Sequence, residues 1–240
     1  MNAQRGNILF LILLAIILFV ALSYAITSSQ REQVSGIPQE KAKALAGTIM
    51  NMLTNTEVGL QRFLVSKELR IEQIDLYNSA NTSYGDNSNC TTASCNLFDP
   101  AGGGVTIPIL PIEAFGPTYT GCTQPNSLGI RPLIRIVNFS DVGTTAGDIA
   151  LTYCGIRPEI CEEINIAMGL RKKGDAIIAG WFGNVGDGNN PFNGNMNPIP
   201  EAPTVNITAS SDSRVAGART FCREVSGAGG PILMHVIYAR

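Results

Sequence analysis

Six cysteines are the residues of this 240-residue chain with the clearest chemistry. Their number is even and none stands in the C-x-x-C spacing of a zinc site, which favours disulfides and an oxidising compartment. Six cysteines allow fifteen pairings. Short separations favour two local bridges, Cys90 with Cys95 and Cys154 with Cys161, which would leave Cys122 to pair with Cys222.

The single histidine, His235, is the next residue that could do chemistry, as a general base. It lies inside the apolar C-terminal run Ile232 to Tyr238, which predicts a buried strand. A histidine-dependent hydrolase would have to use it, yet no G-x-S-x-G elbow accompanies it, and Ser226 lies in a glycine-rich loop. The sequence therefore predicts a packed histidine and a protein that is not an enzyme.

Oxygen-bearing side chains crowd the segment Gly183 to Asn197, where Asp187 and Asn189 could be cation ligands. Their spacing departs from the EF-hand pattern and no bidentate glutamate follows, so we expect a solvated loop without metal or cofactor. The adjacent aromatic pair suits contact with a glycan or a protein, with burial of the tryptophan in the core as the alternative. The candidate binding loop is Trp181, Phe182, Asp187 and Asn189.

Composition limits the remaining function classes. The formal net charge is -2 and only 15% of the residues are charged, so no basic field indicates nucleic acid as a partner. The 25 glycines and 13 prolines, with polar residues crowded between Asn78 and Ser94, are typical of short strands joined by long loops. A secreted, β-containing domain is expected.

An apolar segment from Ile8 to Ile26, preceded by Arg5, stands at the amino terminus. As a helix it would measure about 28 Å at about 1.5 Å per residue, close to the roughly 30 Å of a bilayer core. Three fates fit it: a signal peptide cleaved after Ala25, a retained anchor, or a leader ending at Gly6. In either retained case the leading charge places the rest of the chain outside the cytoplasm.

The elements that follow can be placed by periodicity. Apolar residues recur at helical spacing from Gln39 to about Leu76, and Pro38 suits the first turn of such a helix. Its apolar face is predicted to pack on the domain's own sheet. A second, short helix is expected between Pro158 and Gly169. The predicted strands are Val105–Ile107, Leu133–Val137, Asp148–Tyr153 and Ile232–Tyr238.

This order of parts resembles that of type IV pilins and pseudopilins: Gly6 before an apolar helix, an amphipathic continuation, and a disulfide-bearing αβ domain. The resemblance implies leader cleavage between Gly6 and Asn7 and packing of apolar helices in a filament. Asn7 replaces the usual first phenylalanine or methionine, and Leu11 replaces the usual fifth-position glutamate. Both departures favour a minor or divergent subunit.

The sequence therefore predicts an α+β fold in which a long N-terminal helix, with a membrane half and an amphipathic half, packs on a mainly antiparallel sheet. We expect a leader at 1–6, an apolar helix at 7–26, an amphipathic helix at 27–76 and an extracytoplasmic, disulfide-containing domain at 77–240. The expected function is a structural subunit in the inner membrane that associates through its apolar helix with copies of itself or with other subunits. The alternative is a secreted or anchored binding module.

Overall fold

The computed structural model describes residues 12–21, 36–76, 87–116, 133–139, 142–144, 147–175, 206–207, 213–225 and 230–240, with the single residues 178, 192 and 194. The chain divides into two compact units, Met1–Pro38 and Gln39–Arg240. Gly6 and Asn7 lie outside the described residues, as does Cys122.

In the first unit, residues 12–21 form helix α1. Its sequence is apolar on every side, and each of its large apolar side chains is between 45% and 71% exposed. Within the described residues, no helix combines the length and the apolar character needed to cross a bilayer. The predicted helix over 7–26 stays a prediction, because the residues on both sides of α1 lie outside the described part of the chain. The exposed side chains are those of Ile12, Leu13, Leu14, Ile16, Ile17, Leu18, Phe19 and Val20.

The second unit opens with the long amphipathic helix α2, Gln39–Lys67. Pro38 precedes it, Glu40 lies in its first turn and Lys67 in its last, where each charge opposes the partial charge of the helix end. The buried face recurs at steps of four and three residues, as one stripe of an α-helix requires. Its members are Ala42, Ala46, Ile49, Leu53, Thr56, Leu60 and Phe63.

Helix α2 is shorter than its sequence periodicity predicts. It ends where Glu68 takes a positive φ of 53° and the Leu69 N–H bonds the Leu64 carbonyl, a Schellman-type closure. The apolar pattern continues beyond this point because Ile71, Ile74 and Leu76 are also buried, from a 3-10 turn and extended backbone. The prediction that Ile71 and Ile74 are buried is therefore confirmed, but the prediction that they belong to the helix is wrong.

In the part of the chain that the structure describes, five strands form one sheet in the order β3-β1-β2-β5-β4. The pairs β1–β2, β2–β5 and β5–β4 are antiparallel, and only the short pair β1–β3 is parallel. The prediction of an α+β fold with a mainly antiparallel sheet is confirmed. The segment 105–107 is not a strand. The strands are β1 Leu133–Phe139, β2 Asp148–Cys154, β3 Asn206–Ile207, β4 Thr220–Val225 and β5 Gly230–Tyr238.

The predicted short helix is α3, Pro158–Ala167, with Pro158 in its first turn and Gly169 at a φ of 72° just beyond its end. Helices α2 and α3 pack against each other and against β5, and α3 also packs against β4. The apolar cluster that contains Ala150, Met234 and Val236 contributes a second part of the core. The central strands β2 and β5 are therefore buried along nearly their whole length.

The two disulfides of the described residues are Cys90–Cys95, as predicted, and Cys161–Cys222, whose Cα atoms lie 5.2 Å apart. The predicted pairs Cys154–Cys161 and Cys122–Cys222 are therefore wrong. Strand alternation explains the error: Cys222 lies opposite Leu233 of β5 whereas Cys154 lies opposite Ile232, so the two cysteines are on different faces of the sheet. Helix α3 covers the face of Cys222, and Cys154 is buried in the other cluster.

Candidate functional site

The candidate binding loop of the sequence analysis, Trp181, Phe182, Asp187 and Asn189, lies outside the described residues. Two residues near its end are described. The Phe192 side chain is buried and its N–H lies 3.4 Å from the Ile134 carbonyl oxygen of β1. At Gly194 an added Cβ would lie 2.2 Å from Asn87 Oδ1. Phe192 and Gly194 therefore both lie against other parts of the domain, next to Ile134 and Asn87 respectively.

Asn87 is a structural residue that sequence reasoning missed. Its side chain is buried, and its Nδ2 donates to the carbonyls of Glu72 and Ile74 at 2.8 and 2.7 Å. Its Oδ1 accepts from the Asn89 N–H at 2.9 Å. The buried Asn87 amide makes three hydrogen bonds, which join the segment after α2 to the loop closed by Cys90–Cys95. Only its place in an Asn-rich stretch was visible in the sequence, and such a stretch is typical of a loop.

A groove with a volume of about 270 Å³ opens between α2 and the extended residues 105–108. Gly59 of α2 lies against Val105 there, and the buried Tyr153 hydroxyl donates to the Pro108 carbonyl at 2.6 Å. Burial raises the pKa of Tyr153 well above its usual value, so the phenol stays a neutral donor. The groove is lined by Met52, Asn55, Thr56, Val105, Thr106, Ile107 and Pro108.

The described side chains that line this groove favour binding over acid–base chemistry. None of its lining side chains titrates, so they provide neither a general acid nor a general base. The Thr56 hydroxyl already donates to the Met52 carbonyl at 3.0 Å. The amide of Asn55 and the hydroxyl of Thr106, set among apolar walls, could orient a small or extended ligand.

We expect Gly59→Ala to lower the free energy of unfolding by about 1 kcal/mol, although alanine is the better helix former. The added Cβ would lie 2.6 Å from Val105 Cγ2 and 3.1 Å from its Cγ1, and valine is a stiff neighbour. Equilibrium unfolding measures the change. Gly47→Ala is the matched control, because a Cβ at Gly47 meets nothing within 4 Å. Equal gains in stability at both positions would contradict the close contact.

A polar cluster lies at the interface between α2 and the sheet. Glu57 of α2 pairs with Arg219 at 2.8 Å, and its other carboxylate oxygen lies 3.5 Å from Nε2 of His235 in β5. The Nδ1 of His235 lies 2.7 Å from the Thr220 hydroxyl of β4. His235 is buried, as its apolar strand neighbours predict.

Electrostatics keep this histidine neutral. Burial, with a smaller effect from the Arg219 guanidinium, lowers the pKa of His235 from its usual 6.5 to about 4, and the polar backbone of Leu53 offsets part of this. A neutral imidazole held by a hydroxyl is an interior packing group here. The cluster therefore acts as a polar link between helix and sheet. Glu57 lies far from His235 in the sequence, and Arg219 directly precedes the neighbouring strand β4. No local sequence pattern therefore predicts that the three side chains meet.

No group of three histidine, cysteine, aspartate or glutamate side chains could hold a metal ion within the part of the chain that the structure describes. Comparison with protein-family models, with curated proteins and with solved structures found no match.

Proposed function

We propose that this chain is a pilin-like structural subunit, a minor pilin or pseudopilin, of a bacterial envelope filament or secretion apparatus. Its apolar N-terminal helix would hold it in the inner membrane before assembly, and its disulfide-bearing domain would lie in the periplasm or outside the cell. The partners would be the membrane and, through the same helix, copies of this chain or related subunits.

The observation that carries this proposal is the exposure of α1. Eight large apolar side chains project from a helix that has no polar face, and each is at least 45% exposed. Burying one such side chain contributes about 1.5–3 kcal/mol, so a chain with eight of them exposed to water would associate. Lipid tails and the apolar helices of other subunits are the two environments that would cover every side of α1.

The second unit supports the proposal in two ways. A long amphipathic helix packed on a mainly antiparallel sheet is the architecture that the resemblance implies. The disulfide between α3 and β4 suits an oxidising compartment outside the cytoplasm. Leu11 stands where a glutamate would pair with a neighbouring amino terminus. A subunit without that carboxylate would rely on apolar contacts alone, which favours a minor role in the assembly.

The mature amino terminus tests the proposal directly. We expect the intact mass of protein purified from membranes to match a chain that begins at Asn7, without the six leader residues Met1–Gly6. Gly6→Val should abolish this processing, because a branched side chain replaces the glycine at the cleavage point, and the variant should keep Met1. Gly47→Val is the control, since Gly47 is exposed and a Cβ there meets no neighbour within 4 Å. A wild-type chain that still begins at Met1 would contradict leader cleavage.

The second candidate function is an exported binding module. The groove between α2 and residues 105–108 favours it, because the groove offers an amide and hydroxyls among apolar walls and no acid–base group. The same mass measurement separates the two functions. A soluble mature chain that begins at Ile26, after cleavage behind Ala25, would lack α1 and would support the module instead of the filament subunit.

A further inference from the structure

The two disulfides of the described residues differ in access to solvent. Cys161 and Cys222 are buried, with 3% and 0% of their surfaces exposed, between α3 and the sheet. Cys90 and Cys95 are only half-buried, and the four residues between them are exposed. Thiol–disulfide exchange requires an attacking thiolate to reach a sulfur atom, so access decides which bond can react in the folded protein.

The backbone around Cys90–Cys95, the more accessible disulfide, is held in place by hydrogen bonds that do not depend on the S–S bond. The Asp75 N–H donates to the Cys95 carbonyl at 2.9 Å, and the Leu97 N–H donates to the Asp75 carbonyl at 2.9 Å. On the other side, the Cys90 N–H donates to the Asn87 carbonyl at 2.9 Å, and Asn87 is itself anchored by its side chain. Both ends of the loop would therefore stay in place if the disulfide opened.

We propose that Cys90–Cys95 is a site of thiol–disulfide exchange on the folded protein, with a dithiol as the reductant, and that Cys161–Cys222 is inert. One thiolate of the dithiol attacks a sulfur of the pair, which forms a mixed disulfide and releases the other cysteine as a thiolate that takes up a proton. The second thiol of the reductant then resolves the mixed disulfide. The protein gains two electrons and two protons, and the dithiol becomes a disulfide.

The loop is also built to close again. A sequence separation of five residues keeps the two thiols close together after reduction, so reoxidation competes well with capture by other partners. Exchange would thus switch residues 91–94 between a disulfide-closed loop and an open loop without unfolding the domain. This inference does not depend on the proposed function, because it rests only on access and local backbone bonds within the second unit.

The test is graded reduction of the purified full-length protein. Thiols already present are first blocked with N-ethylmaleimide, dithiothreitol is then titrated, and the new thiols are trapped with iodoacetamide and mapped by mass spectrometry. We expect Cys90 and Cys95 to be labelled at a rate proportional to the reductant concentration. Cys161 and Cys222 should be labelled at least about ten-fold more slowly, because the domain must open first.

Urea below its unfolding range provides the second measurement. It should accelerate labelling of Cys161 and Cys222 and leave the rate at Cys90 and Cys95 unchanged, since only the buried pair needs opening. In the control variant Cys90→Ser/Cys95→Ser, the early labelling should disappear while the far-UV circular dichroism stays that of the wild type. Equal rates at the two disulfides, or labelling of Cys90 and Cys95 that depends on urea, would overturn the proposal.

Discussion

Replacing Cys161 and Cys222 together with serine is expected to lower the free energy of unfolding by about 4 kcal/mol. The bond closes a loop with a sequence separation of 61 residues, and closing a loop of that size removes much of the entropy of the unfolded chain. Two hydrogen bonds still join α3 to β4 without it: Asn165 Nδ2 donates to the Cys222 carbonyl at 2.6 Å, and the Cys222 N–H donates to Asn165 Oδ1 at 2.8 Å. The variant should therefore fold, with a lower transition midpoint in urea.

The matched control for this experiment is Cys90→Ser/Cys95→Ser. Its loop has a sequence separation of only five residues, so the same entropy argument gives a loss of about 2 kcal/mol. We therefore predict that the loss of unfolding free energy is larger for the Cys161/Cys222 variant than for the Cys90/Cys95 variant. The comparison is matched because each variant replaces one disulfide with two serines. Equal losses, or a larger loss for the short loop, would contradict the loop-closure argument.

The second large effect is a loss of unfolding free energy as the pH is lowered. Because the folded-state pKa of His235 is about 4 and the unfolded value is about 6.5, the unfolded chain takes up a proton first as the pH falls. The contribution of neutral His235 to stability is complete above pH 6.5 and is lost progressively between about pH 6.5 and 4. The total loss is about 3 kcal/mol. Unfolding midpoints measured across this range would show the slope.

Two variants separate His235 from the carboxylates that titrate in the same range. His235→Gln removes the ring, so the difference in slope between it and the wild type belongs to His235. Glu57→Gln removes the carboxylate 3.5 Å from Nε2 and leaves Arg219 nearby, which should lower the pKa of His235 further. Because His235 is the single histidine, its ring proton resonance reports its titration without ambiguity. Titration near pH 6.5 in the folded protein would contradict the burial of His235.

Much of the fold was predictable from local pattern. The buried stripe of α2 follows from apolar residues at steps of three and four, and Ile49, Leu53, Leu60 and Phe63 lie where that period places them. The terminal strand follows from the apolar run Ile232 to Tyr238, in which His235 is the single charged or titratable exception besides the terminal tyrosine. The end of α2 was less predictable, because Ile71 and Ile74 continue the apolar period from a 3-10 turn and extended backbone. Periodicity reports which residues are buried more reliably than it reports backbone angles.

The candidate site was less predictable than the fold. In the sequence Gly59 is an ordinary glycine in a helical pattern; only the structure shows that Val105, which lines the groove, lies against it. The link from Glu57 to Arg219 and His235 joins helix α2 to strand β5 and to the residue before β4, both of which lie far from α2 in the sequence. Such contacts depend on which faces of α2 and the sheet pack together, and this packing cannot be predicted from a single sequence.

What the sequence alone determined is a set of local elements: an apolar α1, an amphipathic α2, a short α3 between Pro158 and Gly169, and the strands β1, β2 and β5, whereas β4 was not predicted. Local spacing determines these, because side-chain direction repeats every 3.6 residues in a helix and every two in a strand. Only the tertiary structure decided that Cys222 pairs with Cys161. Strand register puts Cys154 and Cys222 on opposite faces, and α3 covers only one of them.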